Sequence, residues 1–190
     1  MASKAGAFAV EFALVLLVFL GVVFGAMEVA RAMYLINTLS TVTQRAASLA
    51  AQTDFSNQAA MDTVRQSAIF RASAGALLFG APVSDAHVRI DYLALLRAPD
   101  GALTMTPIAP NALPACPIAN RITCSANPND ASCIRFVRAR VCDTANTAAC
   151  DAVSYQPLLP LVSLPLNLPT AVSIVSAESL GQSSAAASCP

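Results

Sequence analysis

Between Ala7 and Met27 the only charged side chain is Glu11, and no other feature of the chain restricts its fold as strongly. At about 1.5 Å per residue, a helix over this run covers about 31 Å, the depth of a bilayer's hydrocarbon core. Lys4 is the only basic side chain ahead of it. By the rule that positive charge stays on the cytoplasmic side, the short N-terminus remains there and everything after Met27 crosses the membrane. Glu11 is the anomaly in this picture. A carboxylate within a spanning helix costs about 2 to 4 kcal/mol even on lenient insertion scales, so an acid there marks a function by default. The alternative is a cleaved secretory signal, with Phe12 to Leu20 as its apolar region and Val23-Phe24-Gly25 as its cleavage site. Glu11 argues against it, because such signals carry positive charge ahead of the apolar region and have no use for an acid.

With 190 residues the chain has room for one domain, or for an anchor and a small domain. Hydrophobic residues make up 56%, charged residues 12%, and the formal net charge is zero. With no basic excess to neutralise phosphates, a nucleic-acid partner is not expected. All six cysteines, Cys116, Cys124, Cys133, Cys142, Cys150 and Cys189, lie beyond the apolar run. An even number in an exported segment reads as disulfides. A metal centre is not expected: no C-x-x-C is present, and the single histidine, His87, is far from the cysteines. Any one connectivity is a choice among fifteen. Cys142 and Cys150 bracket a loop, Cys124 and Cys133 bracket SANPNDAS, and pairing each across its loop leaves Cys116 with Cys189.

The apolar pattern continues past the run in altered form. Leu35, Leu39, Val42, Ala46 and Leu49 recur at intervals of four and three, which places them on one helical face. With no proline before Gln52, one long helix is expected from about Ala7 to Gln52, half in lipid and half amphipathic. Its apolar face can pack on its own domain, on neighbouring subunits, or on both. Asp54 and Ser56 offer capping for a second helix over Asn57 to Ser73, with Ala60, Val64, Ser67 or Ala68 and Arg71 on one face. Gly75, Gly80 and Pro82 then break the chain.

From Ala86 the period falls to two. Val88, Ile90 and Tyr92 alternate with His87, Arg89 and Asp91, a half-buried strand. Pro99-Asp100-Gly101 reads as a turn. Pro107, Pro110, Pro114 and Pro117 make the next segment too rich in proline for central strands. In IRFVRARVC, Val137, Ala139 and Val141 face one way and Phe136, Arg138, Arg140 and Cys142 the other. AVSYQP reads as a third strand forming a hairpin with it, and TAVSIVSAES as a last strand before the small polar tail GQSSAAASCP. Between them, LLPLVSLPLNLP is too dense in proline for a second membrane helix. It is either an irregular buried connection or an apolar patch facing a partner.

Catalysis is not expected. His87 alternates with charged residues on what reads as a solvated strand face, and there is no Gly-x-Ser-x-Gly elbow. Glycine motifs that cradle phosphate are absent as well. Arg135, Arg138 and Arg140 could bind an anionic polymer, but such side chains are more often the wet side of a sheet.

The stretch KAGAFAVEF, with Gly6 followed by Ala7-Phe8-Ala9-Val10-Glu11-Phe12 and an apolar run, resembles a type IV prepilin processing site. The resemblance implies that a prepilin peptidase cuts after Gly6, that MASKAG is the leader, and that the mature chain starts at Ala7 with Glu11 as its fifth residue. Within that superfamily the chain resembles the TadE-like proteins of the tight adherence, or Flp, pilus system. The residues that carry the likeness are AVEFALVL at 9–16, Gly25 with Arg31, and Tyr34; farther on stand Tyr155-Gln156-Pro157-Leu158, the proline-rich link and Glu178. One block departs: where members commonly show an A-R-E-G-A-R-like sequence at the end of the first helix, this chain has QRAASLAA, keeping Arg45 and the alanines.

Physical chemistry supplies a reason for these residue types. Glycine offers an unbranched, flexible site to a peptidase at the membrane face. Cleavage creates an α-ammonium at Ala7, and Glu11 would neutralise it one helical turn away, or neutralise that of a neighbouring subunit.

The expected fold class is therefore α+β: a long N-terminal helix, a short second helix and a small antiparallel sheet with disulfides. The expected division is a leader at 1–6, a transmembrane segment at 7–27, the helix continued over 28–52 and an extracytoplasmic head at 53–190. The resemblance implies a minor pilin or pseudopilin held by one span in a bacterial inner membrane. Its partners would be the membrane, the prepilin peptidase and other pilins or pilus assembly proteins. Neither a cofactor nor a small-molecule substrate is expected. The alternative is a membrane-anchored, disulfide-stabilised binding module with no filament role.

Overall fold

The structure, a computed structural model, describes residues 5–146, 149–158, 166–177, 179–181 and 189. Lys4, Glu178, positions 159–165 of the proline-rich link and most of the polar tail lie outside the described residues.

Helix α1 runs unbroken over Ala5–Ala50, about 69 Å at the usual rise. The absence of proline lets it form, and its last turn is closed by the Thr53 amide and hydroxyl, both donating to the Leu49 carbonyl at 3.1 and 2.8 Å. Two surfaces divide it. From Phe8 to Met27 its large apolar side chains are exposed. Beyond that, Arg31, Leu35, Leu39, Val42, Ala46 and Ala50 form a stripe that is buried at every step, at the spacing of one helical face. The expected apolar face thus packs on its own domain.

Helix α2 covers Gln58–Ala68, with the Asn57 side chain accepting from the Ala60 amide. It is shorter than expected. Asp54, expected as a cap, instead folds a turn by accepting from the Ser56 amide and hydroxyl. The helix stops where Phe70 takes a left-handed backbone conformation and Ile69 is drawn into the core, so Arg71 is exposed and the buried face consists of Met61, Val64 and Ala68.

Strands β1 (Val88–Arg97), β2 (Leu103–Pro107), β3 (Phe136–Val141) and β4 (Val172–Ser176) form one antiparallel sheet in the order β2-β1-β3-β4. The turn at Pro99-Asp100-Gly101 joins β1 to β2, with Gly101 at φ 87° and Asp100 accepting from the Ala102 amide. Proline in the 107–117 segment is tolerated because β2 is an edge strand that ends at Pro107. On the inner face Tyr92 pairs with Val137, Ile90 with Ala139 and Val88 with Val141, and α1 lies across them, its Thr43 hydroxyl 2.9 Å from that of Ser173 on β4. On the outer face Asp91 is held by Arg138 and Arg140.

One element was not anticipated from the sequence, and one expectation is corrected. Helix α3, Pro117–Ala126, follows a Cys116 cap with proline at its first position, a placement that suits proline because no amide is needed there. AVSYQP does not form a strand: β3 already has β1 on one edge and β4 on the other. This segment turns inward instead, burying Val153 and Tyr155 and forming only an isolated bridge between Ser154 and Asn167.

The six cysteines stand in three pairs at disulfide distance, Cys116 with Cys189, Cys124 with Cys133 and Cys142 with Cys150, their Cα atoms 5.6, 5.1 and 4.8 Å apart. The middle pair ties the end of α3 to the segment entering β3. The third closes the loop that follows β3.

Candidate functional site

The segment that would be processed lies in the first turns of α1. Gly6, Ala7 and Glu11 share one continuous helix, so Glu11 stands one turn beyond Ala7 and its side chain is exposed. In the uncut chain Ala7 carries an amide and no charge; an ammonium for Glu11 to answer arises only if the bond after Gly6 is broken.

Some twenty residues on, where the exposed stretch ends, the chain builds a dense polar cluster. Arg31 is 8% exposed, and burial of a guanidinium is tolerable only when its donors are met. Its Nε donates to the Phe79 carbonyl at 3.0 Å and its Nη2 to the Ala81 carbonyl at 2.6 Å. Its Nη1 donates to the Gln156 carbonyl at 2.6 Å and to the Tyr155 hydroxyl at 3.4 Å. The guanidinium also sits 5.3 Å from the centre of the Tyr155 ring, an arrangement with cation–π attraction.

Glu28, one turn earlier on α1, completes the cluster. It lies 3.5 Å from Arg31 Nη1, accepts from the Tyr155 hydroxyl and accepts from the Leu158 amide at 3.2 Å. Burial, together with the Glu28 carboxylate, pushes the Tyr155 phenol above its usual pKa, which keeps it a donor. Tyr34, a further turn along, donates its hydroxyl to the Leu78 carbonyl at 3.1 Å. The result is a clasp: three polar residues of one helical face hold the backbones of two loops, 78–81 and 155–158, against the foot of the head.

This clasp joins two blocks that are far apart in sequence, the Arg31 and Tyr34 positions and the Tyr155-Gln156-Pro157-Leu158 segment. Sequence reasoning missed Glu28 and did not connect the two blocks. The available signal was a pair of opposite charges at i and i+3 immediately after an apolar run, facing the same way as Leu35 and Leu39.

Other chemistry is accounted for locally. His87 Nδ1 accepts from the Ser84 amide at 3.1 Å and lies 2.9 Å from its hydroxyl, closing a three-residue turn before β1. Burial lowers the His87 pKa, against the opposing pull of Asp143 and Asp85. Arg138 and Arg140 both spend their charge on Asp91, at 3.0 and 2.8 Å. Among the described residues, no group of three histidine, cysteine or acidic side chains is placed to hold a metal ion.

The fold and site define a class: an α+β head clasped to the second half of a helix that is long and apolar enough to cross a membrane. Within that class, residues 6–48 match the family model described as TadE-like protein, the family that AVEFALVL, Gly25, Arg31 and Tyr34 resemble. The match likens the chain's first helix, itself long and apolar enough for a single-pass anchor, to that of a pilus-associated family. It covers α1 alone; no curated protein and no solved structure matches the chain.

Proposed function

We propose that this protein is a minor pilin or pseudopilin of a tight adherence pilus machine. In this reading it enters the inner membrane through residues 7–27, is cut after Gly6 by a prepilin peptidase, and displays the head from about residue 53 outside the cytoplasm. There it takes part in initiating or assembling the filament with other pilins or assembly proteins. It is a substrate of the peptidase and a structural component. The observation that carries the reading is the TadE-like segment itself, which begins at Gly6 and includes Glu11. Cysteine pairs at disulfide distance suit an oxidising compartment beyond the membrane.

The deciding measurement is the N-terminal residue and mass of the protein made in a host with the peptidase. A start at Ala7 is expected. An intact N-terminus would instead favour an anchored binding module with no filament role, and a start near Ala26 a secreted protein. Glu11→Leu should then impair assembly of processed protein, because the new ammonium loses its counter-charge; unimpaired processing, insertion and assembly in that variant would remove the role given to Glu11.

A further inference from the structure

We infer that the head rests on the bilayer through an apolar collar made by Leu78, Phe79 and Leu158, with the lipid headgroup layer as its partner. The inference depends on the reading of residues 7–27 as a span. Phe79 is 75% exposed, Leu78 66% and Leu158 60%, yet they sit directly beside the clasp and not on a remote loop. Phe79 and Leu158 line one apolar groove with Met27, Ala30, Arg31 and Tyr34. Their height is fixed by the clasp. Arg31 binds the Phe79 carbonyl, Tyr34 the Leu78 carbonyl and Glu28 the Leu158 amide. If hydrocarbon ends at Met27, these anchor points lie about 2 to 11 Å beyond it along the helix, which begins within the headgroup layer.

Two features suit these loops to that layer. The first is that their backbone groups are turned toward the helix. The Phe79, Ala81 and Gln156 carbonyls accept from Arg31, the Leu78 carbonyl from Tyr34, and the Leu158 amide donates to Glu28. Polar backbone satisfied within the protein can approach lipid at little cost, whereas unsatisfied groups cannot. The second is the turn that holds the tip out. The Gly80 amide donates to the Leu77 carbonyl, and a Cβ at Gly80 would come within 2.6 Å of the Leu77 side chain. Phe79 itself adopts φ 55°, unusual for a bulky residue, and its ring points to solvent. Apolar side chains beside a buried arginine and a tyrosine at the end of a spanning helix match the composition of an interfacial belt.

The chain contains no tryptophan, so a single one reports without background. Full-length F79W, L158W, I122W and V18W would be reconstituted in phosphatidylcholine vesicles, with and without lipids brominated near the top of the acyl chains, for the collar, or midway along them, for V18W. Ile122 is as exposed as the collar but lies on α3, and Val18 lies within the span. F79W and L158W should be quenched severalfold more than I122W. Quenching of V18W with F79W and L158W no stronger than I122W would overturn the collar while leaving the span intact. Collar variants shielded from an aqueous quencher yet untouched by brominated lipid would assign the patch to a protein, which also overturns it. An unquenched V18W would remove the span and the collar together.

Discussion

The two halves of α1 have the same secondary structure and opposite surroundings. Residues 8–27 expose nearly every apolar side chain, while from Arg31 to Ala50 one stripe is buried against sheet and loops. Composition separates them, since Glu11 is the only polar side chain of the first half whereas the second carries Arg31, Asn37, Thr41, Gln44 and other polar residues. Periodicity says how the second half uses them. The first half, Glu11 aside, is apolar on all sides, as the proposed span requires; the second has an apolar stripe with polar residues such as Asn37, Ser40, Thr41 and Gln44 opposite it. A helix can therefore change solvent without changing conformation, and the residues that mark the change are Glu28 and Arg31.

The comparison can be broken most sharply at that boundary. Arg31→Ala leaves several buried acceptors and Glu28 without their cation, and should destabilise the head by about 3 to 5 kcal/mol, read as denaturant unfolding in detergent micelles followed by a head probe. Next comes Leu39→Ala, which removes a side chain with no exposed surface and should cost about 2 to 5 kcal/mol. Leu17→Ala, in the exposed half, should leave head unfolding within about 0.5 kcal/mol of the parent. Equal effects of the two leucine changes would mean that the halves are not distinct.

Joint replacement of Cys124 and Cys133 by serine should lower head stability by about 2 to 3 kcal/mol through the freed loop, with no change in membrane extraction behaviour. The smallest effect concerns pH. Burial holds the folded His87 below its ordinary value of 6.5, so the unfolded chain binds the proton more readily. Its contribution to stability is full above about pH 6.5 and declines as pH falls below that toward the lowered folded value. Unfolding midpoints measured between neutral and mildly acidic pH should fall accordingly, and His87→Gln should flatten that part of the profile.

Much of this architecture was legible because it rests on periodicity. The intervals of four and three in α1, and the alternation in β1 and β3, are direct imprints of a buried face. The turn at Pro99-Asp100-Gly101 and the pairing of nearby cysteines were local enough to read as well. What failed was non-local. AVSYQP has strand composition, and only the presence of β4 beside β3 denies it a partner. Pro117 was read only as one of the prolines that bar a central strand, and the helix α3 that it starts after the Cys116 cap went unread. The clasp was half visible: Arg31, Tyr34 and Tyr155 were noticed as pattern, but joining residues over 120 positions apart takes the fold. Gly6 and Glu11 stood out because a local motif and an expensive charge are both written in consecutive residues.

The unbroken course of α1 has a mechanical consequence. No proline or glycine lies between Gly25 and Ala50, and the clasp fixes the head to the helix within two turns of Met27, leaving no joint at which the head could swivel. Span and head turn as a single lever. Ala50 stands about 35 Å beyond Met27 along the axis, so a tilt of about 20°, ordinary for a spanning helix, carries the top of the head sideways by about 12 Å. On the reading of residues 7–27 as a span, whatever sets the angle of the helix in the membrane also sets where the head is presented.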